Sequence, residues 1–311
     1  MFRAAIRQTV AKHGRLVCNT SRHNSISALR RSGRAAFTAK AAAGNEGSSS
    51  GNSGSSGAAS YGIFVISASP VCAEAVAVSG PDWLCLDAQH GAVGYETLNA
   101  MLGCTSAYPA KRIVRVGGPN DRYGIQQALD LGADGVMVPL VNSKEDTQQA
   151  VSYCLFPPDG QRSVAYPVRA VYRKGVGVPA LAQYLREANR EVEVWLQVET
   201  RACFEALDEV LSVPGITCAF LGPSDMGFSY GLHTKTNYDL PAMLASPELD
   251  NVYSTVVEAC NKHGVAPGVF CLGEARAAQL AAQGYKYVAY NTDLGVIMNY
   301  SASTLAKLRR T

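Results

Sequence analysis

The chain has 311 residues, which suits one large domain with extensions or two small ones, and 47% of them are hydrophobic, so a sizeable core is within reach. Its formal charge of +3 conceals a split: residues 1–45 carry nine Lys or Arg and no acid, leaving 19 basic against 25 acidic residues in the remainder. The bulk of the chain is therefore mildly acidic, and the small positive total gives no ground for nucleic-acid binding. No apolar run approaches the ~20 residues that span a bilayer, so no membrane span is expected. The nine cysteines are odd in number and scattered, without a Cys-x-x-Cys, which argues against a disulfide framework or a thiolate zinc site.

In chain order, residues 1–43 are rich in Arg, Ser and Ala and lack acids. Arg3, Arg7 and Lys12 can share one face of a short helix, with Phe2, Ile6 and Val10 on another. That composition is the mark of a transit peptide, so import into the mitochondrial matrix is expected, a cytoplasmic chain with a basic tail being the alternative. Residues 44–60, largely Gly and Ser, read as a flexible linker. From Tyr61 to the end, 61–311, short apolar runs alternate with segments of helical spacing. Strands are expected at 62–66, 83–86, 112–116, 135–138, 194–198, 219–221, 268–270 and 287–290. Helices are expected at 73–78, 95–105, 123–131, 144–154, 202–211, 251–263, 274–283 and 292–308, with an additional one at 180–189 before the fifth strand. The strand segments are near-continuous apolar runs, as parallel strands buried on both faces require. Eight such units over about 250 residues fit an α/β fold of the TIM (β/α)8 barrel type. A doubly wound open sheet normally carries a Gly-rich phosphate turn after its first strand, and none follows here.

A barrel of this kind places its active site at the C-terminal ends of the strands. Polar residues that end apolar runs should therefore converge there. The second strand runs into Asp87, with His90 three residues on; the third ends at Arg115; the fifth ends at Gln197-Val198-Glu199; the sixth ends at Gly222-Pro223-Ser224-Asp225. Trp195, Gln197 and Glu199 alternate along one strand and share a face. If that face is the barrel interior, the two polar groups cost several kcal/mol unless paired or metal-bound. Glu199 and Asp225, from adjacent strands, make a hard oxygen site for Mg2+ or Mn2+, with Co2+ a further candidate. A cation there would polarise the keto oxygen of a 2-oxo acid. Arg115 can add positive charge at a developing enolate, Asp87 and His90 can form an oriented acid–base pair, and backbone amides around Gly222, Pro223 and Ser224 can receive a carboxylate. No lysine ends a strand, so a Schiff-base nucleophile is not expected. Each residue also has a plain structural reading as a cap, an ion pair or a loop histidine. Their common position at strand ends favours the shared functional one.

The segments DWLCLDAQH (82–90), IVRV (113–116), ALDLGADGVMVPLV (128–141), FPPDGQR (156–162), LQVET (196–200) and FLGPSDM (220–226) resemble, in order and spacing, the HpcH/HpaI class II pyruvate aldolases. The resemblance covers 64–293. It implies a metal held by Glu199 and Asp225, a proton moved by His90 paired to Asp87, an enolate stabilised by Arg115, and pyruvate positioned by Gln197 and the backbone at 222–224. It further implies that Asp130 reaches a neighbouring subunit's site, and a homo-oligomer, a hexamer, with the last helix (292–308) exchanged between barrels. Three positions depart from the family pattern: Asp-Gly-Glu-His is here Asp87-Ala88-Gln89-His90, Arg-Gly-Val-Gly is Arg162-Ser163-Val164-Ala165, and the first-strand aromatic, often Trp, is Phe64.

The expected activity is thus a metal-dependent carbon–carbon lyase that cleaves a 4-hydroxy-2-oxo acid to pyruvate and an aldehyde. Its partners would be those small molecules, with no nucleic acid or membrane. An acyl-CoA lyase of the related citrate-lyase β type is the alternative, with Arg162, Arg169, Arg173 and Lys174 offering cations for CoA phosphates near the mouth. A catalytically silent barrel acting as a binding subunit is another.

Overall fold

The computed structural model describes residues 58–310. The expected transit segment and most of the linker lie outside them. Eight strands, β1 (Ser60–Val65), β2 (Trp83–Asp87), β3 (Lys111–Arg115), β4 (Gly135–Val138), β5 (Glu193–Val198), β6 (Cys218–Leu221), β7 (Ala266–Phe270) and β8 (Tyr287–Thr292), pair in sequence order and in parallel, and β8 pairs with β1 to close the barrel. The helices are α1 (Pro70–Val78), α2 (Tyr95–Thr105), α3 (Arg122–Asp130), α4 (Lys144–Cys154), α5 (Val168–Tyr172), α6 (Gly177–Glu191), α7 (Arg201–Glu205), α8 (Leu207–Leu211), α9 (Pro223–Ser229), α10 (Leu232–Lys235), α11 (Leu240–Leu244), α12 (Pro247–His263), α13 (Glu274–Ala282) and α14 (Asp293–Leu308). The (β/α)8 architecture is the one expected, and every expected strand is present.

The differences from expectation are local. The third strand stops at Arg115 rather than Val116. The expected helix 202–211 is two helices meeting at Ala206, which caps both. The additional helix before β5 is longer than expected and is preceded by α5, while α9, α10 and α11 fill the connection from β6 to α12.

Alternation along the strands sorts the core into two. Leu84, Leu86, Val194, Leu196 and Val198 face the helices, within one large apolar layer. Trp83, Cys85, Ile113, Met137, Trp195 and Phe220 fill the barrel interior. The aromatics there pack closely, Trp83 edge-on to Trp195 with centroids 5.0 Å apart and Trp195 stacked on Phe220 at 6.0 Å. Gly62 accommodates the Trp83 ring, which a Cβ would strike. At the strand starts, Lys111 pairs with Glu193, whose other oxygen accepts from the Trp195 indole N–H at 2.8 Å. The interior is therefore a packed plug, as small barrels require, and the inward positions beyond it toward the strand ends, Asp87, Arg115, Gln197 and Glu199, are polar.

The seam of the barrel is tied at the same end. Asp293, 3% exposed at the start of α14, accepts from the backbone N–H of Ile66 (2.9 Å) and Ser67 (3.3 Å). Thr292 caps the helix by accepting from Gly295 N–H. A smaller core of Phe156, Ala170, Val171, Ala180, Tyr184 and Ala188 holds α5 and α6 together.

Candidate active site

The parallel register sets Asp87 directly beside Arg115. Arg115 donates to Asp87 with both Nε (2.9 Å to Oδ1) and Nη2 (2.6 Å to Oδ2), a two-pronged ion pair. Asp87 Oδ1 also accepts from the backbone N–H of Gln89 and His90. Burial alone pushes this carboxyl up, but the Arg115 hydrogen bonds and charge, with the two backbone N–H groups, outweigh it and hold it below the usual carboxylate range. The Arg115 guanidinium is itself raised, its burial being outweighed by Asp87. Its Cζ sits 5.0 Å from the Phe64 ring centroid, a cation–π contact, and Nη1 faces Gln197 Oε1 at 3.5 Å.

This arrangement corrects one expectation. Asp87 does not pair with the His90 imidazole: both its oxygens serve Arg115, and His90 meets it only through its backbone N–H. The His90 side chain is exposed. The strand register decides the matter, since Arg115 lies opposite Asp87 while His90 lies three residues on in a turn.

Across the mouth, Glu199 follows β5 and is 2% exposed. Its Oε1 accepts from the Leu140 backbone N–H at 2.8 Å. Burial pushes the carboxyl up to about 7; the Leu140 N–H opposes the shift, the charge of Asp225 adds to it, and that of Arg115 opposes it. Arg115 is committed to Asp87, so Glu199 has no cationic side chain bonded to it among the described residues. Its Oε2 lies where Gly222 has no side chain; a Cβ on Gly222 would come within 2.7 Å of it. Gly222 caps α9, and Asp225 is exposed in that helix's first turn. A desolvated carboxylate without a cation, next to a second carboxylate and a glycine notch, suits a hard divalent ion. Among the described residues no group of three or more His, Cys, Asp or Glu could hold a metal, so water and substrate oxygens would complete the shell.

The amides expected to bind a carboxylate are fewer than the sequence suggested. Gly222 N–H is used by Val198 O (3.1 Å), and Pro223 has none. The first-turn amides of Ser224 and Asp225 remain. Asp130 ends α3, at the face where the strands begin, opposite the mouth. There Arg162 donates to it at 2.8 Å and to Tyr184 Oη at 2.8 Å. Asp130 is therefore not part of this barrel's own mouth. The cations offered for CoA phosphates lie at that end too: Arg169 binds Leu131 O, Arg173 binds Asp134 and Gly132 O, and Lys174 pairs with Glu187 and Glu191.

Leu140 is the site residue that the sequence reading missed. Its φ of +56° is a left-handed backbone that leucine rarely adopts. The available signal was Pro139 directly after a strand end, followed by a polar Asn142.

Residues 60–299 match the family model for HpcH/HpaI aldolase/citrate lyase. The chain belongs to this family. Among its relatives is a 2-keto-3-deoxy-L-rhamnonate aldolase of Klebsiella pneumoniae, 32% identical over 232 residues, covering 75% of this chain and 82% of the relative. Another is a hydroxypyruvate/pyruvate aldolase of Sagittula stellata, 31% identical over 236 residues, covering 76% and 88%. The crystal structure of an HpcH/HpaI aldolase/citrate lyase family protein from Burkholderia cenocepacia superposes with a TM-score of 0.70 at 29% identity, covering 81% of this chain and 95% of that one. The chain is a carbon–carbon lyase of the metal-dependent aldolase type.

Proposed function

We propose that the chain cleaves a 4-hydroxy-2-oxo acid to pyruvate, or a close 2-oxo acid such as hydroxypyruvate, and an aldehyde, using Mg2+ or Mn2+ held by Glu199 and Asp225. The observation that carries this reading is Glu199, a buried carboxylate at the barrel mouth with no cation bonded to it among the described residues and Asp225 beside it. When bound, a divalent cation supplies Lewis acidity at the 2-keto oxygen.

The chain's own groups do the rest. Ser224 and Asp225 N–H receive the substrate carboxylate. The Arg115 guanidinium, locked by Asp87, presents Nη1 toward Gln197 and adds fixed positive charge where the enolate develops. His90 takes the proton from the 4-hydroxyl. The C3–C4 bond then breaks, its electron pair passing to C3 as the enolate while C4 leaves as the aldehyde. Protonation at C3 yields the 2-oxo acid.

Pyruvate release should be followed across a panel of 4-hydroxy-2-oxo acids headed by 2-keto-3-deoxy-L-rhamnonate, with and without chelator. Folded protein that releases no 2-oxo acid from any of them, with Mg2+ or Mn2+ present, sinks the reading. The acyl-CoA alternative has lost its support, because the cations it needed lie at the opposite end of the barrel, bonded to acids and carbonyls.

The quaternary reading is a homo-oligomer, a hexamer, with α14 exchanged between barrels. Its support is that α14 buries only Asp293 within the chain and leaves Ile297, Met298, Tyr300 and Leu308 exposed. Asp130 would then approach a neighbour's mouth. Sedimentation of the full chain tests it: a monomer at micromolar concentration refutes it. Mitochondrial import rests on the basic first 43 residues; a tagged full-length chain that stays in the cytosol refutes that.

A further inference from the structure

The loop after β4 carries a feature that catalysis by Glu199 and Asp225 does not by itself require. Leu140 is held in a left-handed backbone, φ +56°, and the residue is 44% exposed. A bulky residue in that region is an outlier that persists only where its surroundings enforce it. A set of hydrogen bonds enforces it. Asn142 Nδ2 donates to Leu140 O at 3.0 Å, and Thr200 Oγ1 donates to Asn142 Oδ1 at 2.5 Å. Asn142 N–H is fixed in turn by Asp146 Oδ2 at 2.9 Å. Thr200 is the residue after Glu199 and also caps α7 by accepting from Cys203 N–H. The chain of bonds is thus closed: Glu199 Oε1 to Leu140 N–H, Leu140 O to Asn142, Asn142 to Thr200, and Thr200 back to Glu199 through the backbone.

We propose that Leu140, Asn142 and Thr200 form a clamp that occupies Glu199 Oε1 and leaves Oε2 alone, in the Gly222 notch, as the metal-binding oxygen. The three are positioning residues, and the proposal rests on Glu199 being a metal ligand. Two independent facts meet in it. The left-handed Leu140 aims its N–H at one oxygen, and the missing side chain of Gly222 makes room at the other. A carboxylate fixed this way binds a cation through one oxygen, which keeps coordination positions open for a bidentate 2-oxo acid and water. Partners that orient a metal ligand typically contribute 10–100-fold to metal affinity.

The test uses the full chain and MnCl2. Free Mn2+ is measured by its electron paramagnetic resonance signal, and folding by thermal melting. Asn142→Ala is expected to weaken Mn2+ binding about 10- to 100-fold with a melt that remains cooperative. Adding Leu140→Gly to it should recover most of that affinity, because glycine takes the left-handed conformation without enforcement and keeps the N–H. A purely structural loop would give no such recovery. Mn2+ binding by Asn142→Ala within twofold of the parent overturns the clamp while leaving the metal reading intact. No Mn2+ binding by the parent overturns both. Should Asn142→Ala fail to fold, Thr200→Val against Thr200→Ser makes the same comparison, the hydroxyl being kept in the second; equal affinities overturn the clamp. A crystal structure of the Mn2+-loaded chain supplies the direct reading: Oε2 alone on the metal is expected, and both oxygens on it overturn the proposal.

Discussion

Two carboxylates at one barrel mouth, both buried, differ sharply in what surrounds them. On the β2–β3 side, Asp87 is wholly buried and gripped by Arg115 through two hydrogen bonds, and its carboxyl is held low. On the β5–β6 side, Glu199 is 2% exposed, holds only the Leu140 N–H, and is pushed up to about 7. Burial is common to both, so burial alone does not mark a functional acid. The difference is the cation. One side of the mouth brings its own positive charge in Arg115, and the other has none among the described residues, which is where the proposed metal would sit.

The comparison breaks first at Arg115. Arg115→Met leaves Asp87 buried and unpaired, and should cost about 3–5 kcal/mol in urea unfolding. The double variant with Asp87→Asn should regain much of that loss. Equal stabilities of the single variant and the parent would show that Asp87 finds another partner. Next come the acids on the other side. Glu199→Gln and Asp225→Asn should each lower kcat/KM for metal-dependent pyruvate release about 10²–10³-fold. Stability should not fall in Glu199→Gln, since it removes a desolvated charge. A large stability loss with little change in rate would reverse the assignment of the two sides.

The third contrast is with pH. A carboxyl raised from its ordinary 4.5 to about 7 keeps its proton in the folded protein after the unfolded chain has lost it. The folded state then binds more protons, so stability of the metal-free chain falls as pH rises through that window and levels off above it, by about 3 kcal/mol for this group. Urea midpoints in chelator between pH 4.5 and 8 should show this slope in the parent and lack it in Glu199→Gln. Asp87, held low, contributes in the opposite sense and only in acid: its stabilisation is present at neutral pH and is lost as pH falls through its depressed value. The smallest effect is expected at the far end of the barrel. Lys174→Ala, which cuts the pairs to Glu187 and Glu191, should change stability by less than about 1 kcal/mol and kcat/KM by less than about twofold. A large fall in activity would bring that basic end back into the function.

The fold and the place of the mouth were legible in the sequence. Trp195, Gln197 and Glu199 share a strand face by simple alternation, and apolar runs ending in acids located the mouth. What was not legible depended on register or on backbone detail. Asp87 finds Arg115 because parallel pairing sets residues 28 apart side by side, whereas sequence distance suggested His90. Arg162 was offered as a cation near the mouth, yet helix return and loop direction carry it to the other end, where it meets Asp130. The segment holding α9, α10 and α11 has no sustained helical periodicity, and its short helices follow from local caps such as Asp239 accepting from Ala242 N–H. The left-handed turn at Leu140 is invisible to any pattern of hydrophobicity.

The Asp293 tie joins groups 227 residues apart in the chain. Synthesis proceeds from the amino end, so β1 must wait for nearly the whole domain before its edge is covered by β8 and its exit loop is fastened by this carboxylate. Until then the nascent chain exposes an unpaired strand edge. The first strand carries Phe64, against which Arg115 rests, so the earliest strand of the barrel and the arginine proposed for catalysis both depend on one of the last turns to emerge. A stop codon just before Asp293 would spare every proposed catalytic and metal-binding residue and still leave the mouth unfastened.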